Sequence, residues 1–159
     1  MSVFATTVTP HEPVLVRAAE AEQLPEIGHC LLSDASASNG ALSAHRIQLA
    51  RGADGAVPHR HHHSSELFFI IDGTLQALVG AEIVTAGSGD LLIVPPHCDH
   101  AFRAAPTDTA DALIVITPGI ERFDYLRQVA RIHRGEASRE GLLADQQRYD
   151  THFVASPAW

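Results

Sequence analysis

The sequence predicts an all-β barrel closed by C-terminal helices, on three observations. Short apolar runs recur from Ala41 to Thr117, with a turn signal after nearly every one. After Pro118-Gly119 the spacing of apolar residues lengthens to three and four. The 159 residues, 45% of them apolar, suit one compact domain rather than two. Many short strands with regular turns are the pattern of a sandwich or barrel.

The elements follow in order. Residues 1–40 are rich in Ala, Ser, Pro and Glu and read as an N-terminal arm, with short strands at Val14–Arg17 and Gly28–Leu32. Ser33–Gly40 is a loop by composition. The barrel spans 41–118, with strands over Ser43–Leu49, Glu66–Ile71, Thr74–Val79, Glu82–Thr85, Asp90–Val94, His100–Ala104 and Ala112–Thr117. Asp72-Gly73, between two apolar runs, reads as a hairpin turn. Residues 119–159 form a helical extension packed on the barrel. Ile120, Phe123, Leu126 and Val129 mark one face of a helix, and a second short helix runs from Ser138 to about Tyr149. The tail, ending at Trp159, is apolar enough to dock on the barrel or on a second subunit.

Charge and composition exclude several functions. The net charge of −8 argues against a nucleic-acid partner. No run of 18 apolar residues exists, so no membrane helix is expected. Met1–Glu12 lacks the basic start and apolar stretch of a signal peptide. With two well-separated cysteines, Cys30 and Cys98, a cytoplasmic location is the expectation. All 11 basic residues are Arg, so Lys-based Schiff-base and phosphate-loop chemistry is absent. The enriched chemistry is that of imidazole: 11 His, four of them within His59–His63.

Two segments concentrate that chemistry. In Val57-Pro-His59-Arg-His61-His-His-Ser-Ser-Glu66, alternate strand residues share a face, which points His59 and His61 the same way and Arg60 the other. Glu66 opens an apolar strand, where a lone carboxylate is costly to bury. A divalent cation offsets that cost, because carboxylate oxygen and imidazole nitrogen are both good ligands. In Gly89-Asp-Leu-Leu-Ile-Val-Pro95-Pro-His-Cys-Asp-His100, a buried strand and a proline turn lead to His100, the fourth candidate ligand. His62, His63 and His97 read as loop histidines, and Cys98 as a structural thiol.

These segments resemble the paired signatures of the cupin superfamily. The first carries His59, His61, Glu66 and Gly73 at that family's spacings, and the second carries Gly89, Pro95 and His100. Ala53, His97 and Ala104 depart from it, none at a ligand position. The resemblance implies a single-domain jelly-roll β-barrel with one divalent metal ion (Fe, Mn, Ni, Co, Cu or Zn) held by His59, His61, Glu66 and His100. It also implies a homodimer. The Gly119–Leu126 stretch, together with Arg148-Tyr149-Asp150 and Phe153, is similar to bacterial quercetinase-like (flavonol dioxygenase) monocupins.

Strand parity gives a substrate pocket of Val57, Phe68, Ile70 and Phe102, with Arg46 as the one candidate for an inward cation; either His45 or Arg46 faces inward. Such a pocket suits an apolar or aromatic enol or phenol. Three functions follow. In the first, a dioxygenase, Glu66 is ligand and base and dioxygen is the second substrate. In the second, a polyketide cyclase or isomerase, Zn polarises a carbonyl without oxygen chemistry. The third is a non-catalytic ligand-binding protein.

Overall fold

The structure, a computed structural model, describes residues 12–159; the expectation for the leading residues lies outside them. Ten strands and two helices follow one another. They are β1 (Glu22–Leu24), β2 (His29–Ser33), β3 (Ser43–Leu49), β4 (Asp54–Arg60), β5 (Ser65–Val79), β6 (Glu82–Gly87), β7 (Leu91–Val94), β8 (His100–Ala104), β9 (Ala110–Thr117), α1 (Phe123–His133), α2 (Glu140–Ala144) and β10 (His152–Phe153). The strands run in the order β1-β2-β3-β9-β5-β8-β4-β10, with β6 and β7 also paired to β5. Every pairing is antiparallel. This is the all-β jelly roll the sequence predicts.

Alternation places the core. Ser43, His45, Ile47 and Leu49 of β3 point inward, as do Ala110, Ala112, Ile114 and Ile116 of β9. Phe68, Ile70, Leu75, Phe102 and Ile114 interdigitate between the two walls. Fully burying one such side chain stabilises the fold by about 2 kcal/mol.

The expected hairpin at Asp72-Gly73 does not form. β5 runs unbroken through both residues, pairing with β7 and β9 over its first half and with β6 and β8 over its second. Register against β9 shifts between Ile70 and Asp72, and the buried positions change parity from Glu66, Phe68 and Ile70 to Leu75 and Ala77. A one-residue bulge of this kind flips the inward face and bends the strand. Gly73 supplies the bend with φ +74, and a Cβ there would lie 2.1 Å from the Thr109 carbonyl oxygen. One strand thereby serves both walls of the barrel.

The segment read as an arm contributes to the sheet. Val14–Arg17 is not a strand, but β1 and β2 form a hairpin that extends the wall through β3. The hairpin also seats the helical extension. Leu24 and Leu31 bury against Leu126 and Ala130 of α1, with Ile27, Phe123 and Tyr125 beside them. Asp34 accepts hydrogen bonds from the first backbone amides of α1, at Arg122 and Phe123. The second helix is shorter than expected, and the chain turns back so that β10 pairs with β4. α1 therefore lies over the open end of the barrel. Among the described residues no helix is long and apolar enough to cross a membrane.

Candidate metal centre

Four buried side chains converge inside the barrel: His59, His61, Glu66 and His100. β4 and β8 pair so that His59 and His100 stand directly opposite, with ring centroids 4.2 Å apart. His61 follows β4 by one residue, and Arg60 between the two faces out onto Asp99. Glu66 enters from the other wall, on the first half of β5.

Nε2 of His100, His61 and His59 lies 2.6, 3.2 and 3.9 Å from Glu66 Oε2. On the opposite side of each ring, Nδ1 meets a backbone carbonyl: Val57 for His59, Asp150 for His61 and Cys98 for His100. A carbonyl only accepts, so each Nδ1 carries the proton, and in the neutral ring Nε2 is left as a bare lone pair. Three lone pairs then aim at one carboxylate oxygen. Such an array is repulsive without a shared proton or a cation at its centre. The carbonyl partners also match the way metal-binding histidines are held and tautomerised. The donor set of three imidazoles and one carboxylate thus fits a divalent transition metal, with positions left for further ligands.

Electrostatics without an ion show the same tension. Burial, then the neighbouring His100 and His61, push His59 well below the usual imidazole range. Burial acts the same way on His100, but the hydrogen bond and charge of Glu66 outweigh it and hold His100 up. Burial favours the protonated Glu66, yet the close approach of His100 and His61 keeps its carboxyl well below the ordinary range.

A cavity of about 260 Å³ opens beside this cluster, between the barrel mouth and α1. Val57 and Phe102, expected to line the pocket, do so together with Glu66 and His59. Two other expectations are corrected. Phe68 and Ile70 share parity with Glu66 but sit deeper, as fully buried core. Arg46 faces outward and binds Asp111 through two hydrogen bonds of 2.8 and 2.6 Å. Its neighbour His45 is the inward residue and lines the cavity with His29.

Sequence reasoning missed Asp150 and Arg122. Asp150 accepts the backbone amides of His62 and His63 on its two carboxylate oxygens, at 2.8 and 2.9 Å, besides taking His61 Nδ1 on its carbonyl. The histidine-rich loop is thus held from the far end of the chain. Outside the shell, His62 stacks on His152 at 3.7 Å and on His97 at 5.3 Å. Arg122 precedes α1 and lines the cavity. Cys30 and Cys98 are both free thiols.

A jelly roll carrying three His and one Glu at these positions defines a cupin fold with a candidate metal site. Comparison with known proteins agrees with the fold: residues 45–116 match the Cupin domain family. A search of curated proteins finds no match. Among solved structures, KdgF from Halomonas sp. is similar with a TM-score of 0.58 and 20% identity, over 72% of this chain and 99% of that one. Streptomyces PAC13 with uridine, a protein described as a nucleoside dehydratase, is similar with a TM-score of 0.55 and 20% identity, over 71% of this chain and 88% of that one. A cupin protein from Bacteroides fragilis is matched over 48% of this chain, which spans 65% of that protein, with 21% identity and a TM-score of 0.47.

Proposed function

We propose that this protein is a metal-dependent cupin enzyme acting on a small apolar or aromatic substrate with an enol or phenol oxygen, and that its reaction is dioxygenation. The observation that supports this most is the cluster just described: three Nε2 atoms converging on one Glu66 oxygen beside a cavity that Glu66 and His59 themselves line. A bound divalent ion would supply a Lewis-acidic position that lowers the pKa of a substrate hydroxyl and, with a redox-active ion, a route to dioxygen chemistry. His59, His61, Glu66 and His100 would hold it.

The chain's own residues do the remaining work. Glu66 Oε2 faces the imidazoles, while Oε1 makes no hydrogen bond to the described residues, so it is free to take the proton of an arriving hydroxyl. Val57, Phe102, Leu126, Val129 and Phe153 surround the apolar body of the substrate and keep water from it. A flavonol is the substrate that the resemblance of the chain's tail implies.

A second reading, proton transfer without oxygen, is favoured by one observation. Two buried imidazoles, His29 and His45, stack in the cavity wall with centroids 5.2 Å apart and can relay a proton to or from a bound molecule. The fold-level likeness to a protein described as a nucleoside dehydratase is compatible with it.

An oxygen electrode separates the two. Metal-loaded protein given flavonols or related enols is expected to consume one dioxygen per substrate, with uptake lost in Glu66→Gln. Product formation under argon, with no oxygen uptake in air, would assign the second reading instead.

A further inference from the structure

Arg122 is a buried cation without a counter-charge. It is 5% exposed, and among the described residues no carboxylate comes within ion-pair distance of its guanidinium. Nη1 donates to Thr151 Oγ1 at 2.6 Å, and the plane lies over the Tyr125 ring at 4.1 Å. Nε is buried with no hydrogen-bond partner, and the only further side-chain partner of the guanidinium among the described residues is the neutral Tyr125. A guanidinium kept out of water in this way is costly unless something pairs with it. Arg122 belongs to the wall of the cavity that also exposes Glu66 and His59. Two buried imidazoles of that wall, His29 and His45, do not share the role of cation, because burial pushes both down, His29 to about 4; His59 belongs to the Glu66 cluster, and His133 lines the wall from an exposed position.

We propose that Arg122 is the anion seat of this cavity, and that the molecule bound beside Glu66 is an apolar one carrying a carboxylate. The inference rests on the reading of this cavity as the substrate site. It narrows the substrate class from enols and phenols at large to those that carry an acid group, which a plain flavonol lacks: one end of the molecule addresses the Glu66 cluster, and the other presents a carboxylate to the Arg122 guanidinium. A planar guanidinium edge matches a carboxylate in shape as well as charge. The apolar wall of Leu126, Val129 and Phe153 lies on the same cavity. Arg139 also lines it, but from an exposed position where solvent screens its charge.

The test is calorimetric binding of cinnamate and of cinnamamide, which share shape and differ in charge. Each is titrated into the full chain, both metal-loaded and stripped with a chelator. Cinnamate is expected to bind about 10-fold or more tightly than the amide in both forms, as a charged hydrogen bond at a buried cation predicts. Arg122→Gln is expected to reduce that preference to within about 3-fold, while Arg122→Lys keeps part of it and the metal content of both variants stays unchanged. Equal affinity for the two probes in the wild-type protein would overturn the proposal, whatever the variants do; so would failure of both to bind at millimolar concentration. A preference present only in the metal-loaded form would also overturn it, because the ion rather than Arg122 would then be the seat. None of these outcomes touches the oxygen-uptake result, so this inference and the proposed reaction fail separately.

Discussion

The backbone carbonyl of Asp150 accepts the Nδ1 hydrogen of His61 at 2.5 Å, across 89 residues of sequence. The same residue caps the loop that follows, through the amides of His62 and His63. The C-terminal tail is therefore part of the candidate metal centre, and β10, paired with β4 at His59 and Arg60, fixes it there.

Replacing Asp150 tests that relationship. Asp150→Ala leaves two part-buried amides without their acceptors, at a cost of about 1 kcal/mol each, and frees the loop that orients His61. Metal affinity is expected to fall by roughly 10- to 100-fold, as it does when groups supporting a ligand are removed. Asp150→Asn keeps one acceptor and tolerates the left-handed backbone at this position (φ 43), so it should fall between. Competition with a chromophoric chelator measures both; an affinity unchanged in the Ala variant would separate the tail from the centre.

Stability should fall in mild acid because of His29. Its folded pKa, about 4, lies below the 6.5 of an exposed imidazole, so the unfolded chain binds the proton first. The stabilisation is fully present above pH 6.5 and is lost as pH falls toward 4, by up to about 3 kcal/mol. His45 is pushed down too and acts in the same direction. Urea unfolding of metal-free protein between pH 7 and pH 4.5 should show a shallower decline in His29→Gln than in wild type. Parallel declines would mean that His29 is not buried as a neutral ring.

His97 holds a left-handed backbone, φ 67, in the turn before His100, and its amide donates to the His61 carbonyl at 2.7 Å. A side chain at such a left-handed position carries strain. His97→Gly should be at least as stable as wild type, whereas the β-branched His97→Val should lose about 2 kcal/mol. Equal stability of the two variants in denaturant titrations would remove the strain argument.

Parity and local spacing made much of this legible in advance. His59 and His61 share a face because they are two apart on a strand, and the boundaries of β3 and β8 follow from their apolar runs. What stayed hidden depends on pairings distant in sequence. Asp72-Gly73 has the composition of a hairpin turn, and only the pairing of β5 with both walls shows that it is a bulge. Parity left open whether His45 or Arg46 faces inward until β3 paired with β9, which places Asp111 beside Arg46. Arg122 and Asp150 lie in the two stretches that carry the tail resemblance, but no local spacing gives either its role. One is defined by a helix lying over the barrel mouth, and the other by a tail that returns to β4.

Elemental analysis tests the central claim most directly. The chain is loaded with Fe, Mn, Co, Ni, Cu or Zn, dialysed, and measured beside His61→Ala, Glu66→Ala and His100→Ala. About one equivalent of at least one metal per chain is expected in the wild type, with near-complete loss in each variant while the β-sheet circular dichroism remains. A wild-type chain that retains none of these ions, or variants that retain a full equivalent, would contradict the account.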